Sequence, residues 1–397
     1  MLDKPHGPAA DTSPVDKLDD YALRYAVRHA TLAPSSHNSQ PWRFVPGHDR
    51  ILLCADRLRA LPVVDPFDRE LIISCGAALF NLRVALASLG IGYAITLFPT
   101  SLDPDLLADV RLLRGQPVGA ELAPLLNAIS RRVTTRHPFS PAPVGAAVEH
   151  ELLEAARAEG VEVACATEAG TREAIADLVA VADQRQFADP RFRRELAKWI
   201  HPRHTGDGMP AYAAGLGSLL DFATPLVASA IRTFDVGDGV AATHRELAAG
   251  SPLLLCIATS VDDAQAWLAA GEALERVLLV LTAHGLCASY LNQPIEAGGQ
   301  LLTGESFKDV RELKRILTTT RRLDFYRCST EKMLIYALGR GLEPYDTHTI
   351  DDLVDKLEAA KGRPSVLIRG IIESAAFQRR RPLAQSETTA AQEKLNP

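Results

Sequence analysis

The stretch Gly76–Gly90, GAALFNLRVALASLG, returns as Gly271–Gly285, GEALERVLLVLTAHG, at a gapless shift of 195 residues. Gly76/Gly271, Ala78/Ala273, Leu79/Leu274, Leu86/Leu281 and Gly90/Gly285 coincide, and so do Pro99/Pro294 beyond the repeat. Each copy is apolar on nearly all sides, the pattern of a helix buried in a core. Each ends on a glycine suited to a left-handed cap. A strand-like run follows each: YAITLF at 93–98 and CASYL at 287–291. Two buried helices can share small residues by chance, but the Gly-to-Gly spacing and the following strands agree as well. The repeat therefore predicts a duplicated architecture.

Other elements group around this pair. Residues 18–32 place Leu18, Tyr21, Ala22, Tyr25 and Ala26 at helical spacing. Trp42 to Ala55 reads as a hairpin about Pro46-Gly47. Residues 130–170 read as an extended segment, a helix (VEHELLEAARAEG) and a strand (VEVACA), and 171–204 as charged helix. Residues 205–240 show few regular signals, and a stretch this long suits a lid or binding loop. Its glycines Gly206, Gly208, Gly215 and Gly217 supply hinges, and Met209, Tyr212, Leu216 and Phe222 could cover an apolar ring. PLLLCIATS at 252–260 reads as a strand covered on both faces. Residues 1–17 and 382–397 are polar and read as disordered. The expected domains are 18–128, 129–297 with its lid at 205–240, and a helical module at 298–381. Helices are expected in that module at 308–320, 328–338, 349–360 and 364–375.

Charge and cysteine content narrow the function. The net charge is −6, which argues against nucleic acid or an anionic membrane as partner. Residues 298–381 depart from the rest, with 16 Lys/Arg against 12 Asp/Glu. The six cysteines form no C-x-x-C pair and read as buried free thiols of a reducing compartment. No secretory h-region and no apolar run of about 18 residues is evident, so a cytoplasmic protein is expected. No G-x-G-x-x-G, Walker loop, H-E-x-x-H or G-x-S-x-G occurs. His201 and His204 flank Pro202-Arg203, which is not metal spacing, and no metal is expected.

Two motifs carry chemistry. In Ala33-Pro34-Ser35-Ser36-His37-Asn38-Ser39-Gln40-Pro41-Trp42, two prolines frame short polar side chains. Such a loop can present hydroxyls and amides to the carbonyl and nitrogen edge of a heterocycle, or can be a helix cap followed by a turn. In Arg131-Arg132-Val133-Thr134-Thr135-Arg136-His137-Pro138, the proline disfavours helix at His137. In an extended segment Arg132, Thr134 and Arg136 share a face. Two guanidinium forks and a hydroxyl suit a phosphate dianion, and the same run also suits a solvated basic turn.

Together these motifs resemble the FMN-dependent nitroreductase superfamily, and more closely its mycobacterial Acg-like branch. The family loop P-S-S-x-N-x-Q-P-W is matched by Pro34, Ser35, Ser36, Asn38, Gln40, Pro41 and Trp42, and R-x-[ST]-x-[RK] by Arg132, Thr134 and Arg136. Asp65-Pro66 to Arg69-Glu70 and Ser74–Leu79 also resemble that branch. The resemblance covers about residues 18–296. It implies an α+β fold with an antiparallel core sheet flanked by helices, here as two fused halves forming a pseudo-dimer in one chain. In such proteins two subunits share each flavin. Here each motif occurs once, so one FMN per chain is expected.

The implied function is reduction of a small oxidant such as a nitroaromatic or quinone, with NAD(P)H as transient donor. The rival is a protein that sequesters FMN beneath a lid. No general acid or base is evident. The C-terminal module departs from the family ending. Glu305, Phe307 and the run from Cys328 to Glu343 resemble the C-terminal module of planctomycete cytochrome-like proteins, without a C-x-x-C-H haem site. An interaction role for this module is a third reading.

Overall fold

The protein is described from a computed structural model covering residues 20–113, 119–201, 206–210, 213, 224–296, 299–300, 306–307 and 310–378. The chain divides into two compact units, Met1–Ala297 and Gly298–Pro397. The architecture is mixed helix and antiparallel sheet, an α+β fold.

The first unit opens with α1 (Asp20–Ala30), β1 (Trp42–Pro46) and β2 (Arg50–Ala55), then α2 (Arg69–Ser88), β3 (Gly92–Leu97) and β4 (Leu106–Leu113). The strands make an antiparallel sheet of order β1-β2-β4-β3, in which Trp42 pairs with Ala55 as the hairpin reading expects. Their inward side chains Ile51, Leu53, Ala108, Val110 and Leu112 meet Leu71, Cys75, Leu79, Leu82 and Leu86 of α2 in one core. The chain continues through α3 (Leu126–Ile129), α4 (Ala146–Arg157) and β5 (Glu162–Ala166), then α5 (Ala169–Ala188) and α6 (Pro190–Trp199). It closes with α7 (Thr224–Thr233), α8 (Gly237–Ala249), β6 (Leu254–Ala258), α9 (Ala264–Ala283) and α10 (Gln293–Glu296). β5 and β6 form a two-stranded antiparallel sheet.

α2 and α9 cross at the repeat. Both are 20 residues long, and their bounds differ by the 195-residue shift read in the sequence. A Cβ on Gly76 would lie 2.1 Å from the Leu268 carbonyl oxygen, and one on Gly271 would lie 1.9 Å from that of Ile73. Ile73 and Leu268 are themselves related by the shift. The C-terminal caps repeat too: Ile91 N–H donates to Leu86 O and Leu286 N–H to Leu281 O, each at 3.0 Å. Gly90 (φ 69°) and Gly285 (φ 74°) take the left-handed conformation that permits this cap. Arg83 on α2 binds Glu272 on α9 at 2.8 Å and Glu159 beyond α4 at 2.6 Å, adding an ionic tie across the crossing.

Several expectations are corrected. Residues 287–291 form no strand: only the isolated parallel bridge Thr134–Ala288 is made there, so a single contact replaces a ladder. β6 is not covered on both faces: Leu255 and Ile257 pack toward the α4–α9 core, so the alternate residues Cys256 and Ala258 are exposed. Of the six cysteines only Cys54 and Cys75 are buried, since Cys165, Cys256, Cys287 and Cys328 fall on solvent-facing positions of their segments. Residues 224–233 and 237–240 are helical, in α7 and the start of α8, rather than loop. Parts of the proposed lid, 205, 211–212 and 214–223, lie outside the described residues, as do 1–19 and 379–397. α2 has the length and hydropathy of a membrane span, contrary to expectation, but 83% of that window is buried inside the unit. An apolar helix that fills a core satisfies the same compositional test.

The second unit holds β7 (Gly299–Gln300), β8 (Ser306–Phe307), α11 (Val310–Thr318), α12 (Arg322–Leu338), α13 (Thr347–Ala359), α14 (Pro364–Glu373) and α15 (Ala375–Gln378). Its core joins Tyr326 and Leu334 of α12 to Ile350, Leu353, Val354 and Leu357 of α13 and Leu367 and Ile371 of α14. α12 begins six residues before the expected helix at 328.

Candidate functional site

The first motif is a strained loop locked from both sides. His37, Asn38 and Gln40 all have φ near +50°, which is costly for residues other than glycine and asparagine. Three local interactions hold the shape. Ser35 Oγ accepts from the Gln40 N–H at 2.9 Å, Asn38 N–H donates to Ser35 O, and Arg59 reaches Ser39 O at 2.9 Å. From beneath, Ser36 Oγ donates to Glu70 and the Cys75 thiol donates to Pro41 O at 3.2 Å, both from α2. Burial pushes the Cys75 thiol up, so it stays a neutral donor. Burial, reinforced by the charge of Glu296, holds Glu70 well above the usual carboxylate range. Pro34 opens the loop, and Trp42 closes it by burying its ring against α2.

The second motif leaves α3 as an extended segment, anchored by the Thr134–Ala288 bridge and by Thr135 N–H donating to Ala288 O at 3.0 Å. Arg136 donates to Tyr290 O at 2.8 Å and Ser289 Oγ at 3.2 Å. Arg132 lies 3.5 Å from the Thr134 hydroxyl and 3.4 Å from the Leu32 carbonyl, the residue before Ala33-Pro34. Arg136 also faces His37. Burial, then the Arg136 charge, pushes the His37 imidazole down to about 4, so His37 is neutral at physiological pH. The two motifs, about a hundred residues apart in sequence, thus meet within one chain. The contacts are Arg132 with Leu32 O, just before Pro34, Ser35, Ser36, Asn38 and Gln40, and Arg136 beside His37, with Thr134 between the two arginines.

A third segment joins them. Asn38 Nδ2 donates to Gly208 O at 2.9 Å, and Gln40 Nε2 donates to Gly206 O at 2.5 Å. Gly208 N–H returns a bond to Asn38 O at 3.2 Å, and Arg59 pairs with Asp207 at 2.9 Å. Gly208 has φ 72° and its absent Cβ would sit 2.4 Å from His201 Nδ1, so glycine is required at this turn. The described start of the 205–240 segment therefore lies directly on the motif loop.

Sequence reasoning missed several residues at this site. Glu70 anchors Ser36, and Arg59 and Asp207 tie the third segment down. Glu275 of α9 is fully buried 3.8 Å from Arg132. Burial pushes its carboxyl up to about 8 against the opposing charge of Arg132. Tyr290, half-buried beside both with its hydroxyl enclosed, is also pushed up by loss of solvation. A legible signal existed: Glu272 and Glu275 interrupt an otherwise apolar helix, and a buried carboxylate needs a partner.

Comparison with known proteins places the chain in a family. The chain is 34% identical over 286 residues to a Mycobacterium tuberculosis protein named "Putative NAD(P)H nitroreductase Rv3131", covering 70% of this chain and 78% of that protein. It is 30% identical over 276 residues to "Putative NAD(P)H nitroreductase acg" of the same organism, covering 69% and 81%. "Probable NAD(P)H nitroreductase PigM" of a Serratia species is 38% identical over 80 residues, covering 19% of this chain and 22% of that protein. Residues 303–377 match the family described as "Protein of unknown function (DUF1585)". The chain belongs to the nitroreductase family. Within it, the relatives and the loop motif define the Acg-like branch, to which a second unit of the DUF1585 type is joined.

Proposed function

We propose that the first unit binds one FMN between the Pro34–Gln40 loop and the Arg132–Arg136 segment, and uses it in NAD(P)H-dependent reduction of a small oxidant such as a nitroaromatic or quinone. The observation that carries this reading is the approach of Arg132 to Leu32 O, which brings both motifs to one place. The donor set suits the cofactor. Arg132 is largely buried, and its Nε has no hydrogen-bond partner among the described residues, which leaves a donor available to a phosphate oxygen. Thr134 adds a hydroxyl beside it. Bound FMN would supply the hydride and electron chemistry, which no side chain of the chain can supply.

The chain's own residues bind and orient. Arg132, Thr134 and Arg136 hold the phosphate. Ser35, Ser36, Asn38 and Gln40 present hydroxyl and amide groups to the ring and its polyol chain, and Pro34 stiffens the loop. His37, neutral and half-buried beside Arg136, adds no charge beside the ring. The match between α2 and α9 in bounds, caps and mutual glycine contacts supports an origin by fusion of two halves. The fused protein then corresponds to a family dimer with a single complete site.

A second reading is favoured by one observation. The Gly206 and Gly208 carbonyls accept from Gln40 and Asn38, so a segment already covers the loop's amides. A protein that stores FMN under this cover would show the same contacts. The two readings separate on purified protein under anaerobic conditions. Bleaching of the flavin band by NADPH at an enzymatic rate supports the reductase. A flavin that stays oxidised supports storage.

A further inference from the structure

Among the described residues, Glu275 is the carboxylate that faces the proposed phosphate-binding arginine from inside the core. It projects from the middle of α9 and is fully buried. Neither of its oxygens has a hydrogen-bond partner among the described residues. Arg132 Nε lies 3.8 Å away and is likewise without one. The Asn81 amide of α2 lies beside the carboxyl and favours its charged form, though less than burial opposes it, and the Tyr290 phenol lies close by. These groups, Arg132 and Tyr290 the titratable ones, make up the polar surroundings of Glu275. A poorly solvated carboxylate at this place would compete with any anion for Arg132, whereas a neutral acid would not.

We infer that Glu275 is a proton-linked counter-ion: a phosphate monoester bound at Arg132 requires Glu275 to carry its proton, so binding of the phosphate and of that proton are coupled. The inference rests on the FMN reading and adds a named residue and a pH dependence to it. Burial already holds the Glu275 carboxyl at about 8, so the competent form dominates at neutral pH and is lost in mildly alkaline solution. A dianion at Arg132 raises the carboxyl further, by removing the favourable interaction of Arg132 with its charge. Tyr290 is held above this window by burial.

The test is FMN affinity, read by quenching of flavin fluorescence between pH 7 and 9. In that range a phosphate monoester is already a dianion, with its second ionisation near pH 6. Wild-type affinity is expected to fall about tenfold across the range, by linkage to a single group titrating near its centre. Glu275→Gln, neutral at every pH, should hold the pH 7 affinity throughout. An unchanged wild-type affinity, or an equal fall in Glu275→Gln, overturns the inference while leaving the FMN site in place. Should the variant fail to fold, calorimetry of the wild type at pH 8 in two buffers of different ionisation enthalpy gives the answer. FMN binding should then take up roughly half a proton, and riboflavin, which lacks the phosphate, none. Zero uptake with FMN overturns the inference. Failure of FMN to bind at any pH overturns both the inference and the FMN reading.

Discussion

Gly76 and Gly271 occupy one crossing point: a Cβ on Gly76 would lie 3.0 Å from the Gly271 Cα, and a Cβ on Gly271 would lie 2.9 Å from the Gly76 Cα. Each glycine also faces a backbone carbonyl of the other helix, which cannot move aside as a side chain can. The close approach of α2 and α9 therefore depends on the absence of both Cβ atoms, and the closeness fixes where α9 presents Glu275 to Arg132.

Gly76→Ala and Gly271→Ala should each destabilise the first unit by at least about 2 kcal/mol, in the upper range for overpacking, because the helices must separate. Gly90→Ala meets nothing within 4 Å and bears only the cost of its positive φ, about 1 kcal/mol. Urea denaturation of the three variants checks the order. Equal losses would mean that the helices are not in contact at the glycines.

The ionisable residues of α9 should make stability pH-dependent. Burial holds Glu272 at about 7 and Glu275 at about 8, against an unfolded carboxyl near 4.5. Between these limits the folded state keeps protons that the unfolded state has released, so stability falls as pH rises through that window. Melting temperature should decline from about pH 5 to pH 8, and Glu275→Gln should flatten part of the decline. A melting temperature that rises over this range would show that the carboxyls are ionised in the fold.

The repeat and both motifs were legible in the sequence because glycine spacing, proline framing and alternating arginines are local patterns. The bounds of α2 and α9 follow the repeat to the residue. What could not be read depends on distant partners. The 287–291 run looks like a strand, but only Thr134 comes within bridging distance. Gly206–Gly208 reads as a hinge, but Asn38 and Gln40 bind its carbonyls from about 170 residues away. Cys165 and Cys256 sit in apolar runs, but on a two-stranded sheet they remain exposed.

Loss of the covering contact should be visible in dynamics and in access. The Arg59–Asp207 pair is partly exposed and contributes at most about 1 kcal/mol, so Asp207→Ala should leave the fold intact. Hydrogen exchange should rise at residues 206–210, and dithionite should reduce bound flavin faster than in the wild type. Faster exchange with an unchanged reduction rate would show that this segment does not control access.

Arg132 should dominate retention of the cofactor. Its charge-assisted bonds to a phosphate are worth about 1.5–3 kcal/mol, so Arg132→Ala should weaken FMN binding roughly tenfold or more. Arg132→Lys keeps the charge but loses the fork, and should fall between the two. The comparison is made by flavin content after extended dialysis, and equal content in all three proteins would remove Arg132 from the site.

We propose that one chain completes one flavin site. The direct measurement is FMN released by denaturation, quantified per chain on protein saturated with FMN and freed of excess by gel filtration. A ratio near one is expected for the wild type, and one near zero for a variant carrying both Arg132→Ala and Arg136→Ala. A wild-type ratio near two would reveal a second site among residues not assigned to binding. A ratio near zero would contradict the claim outright.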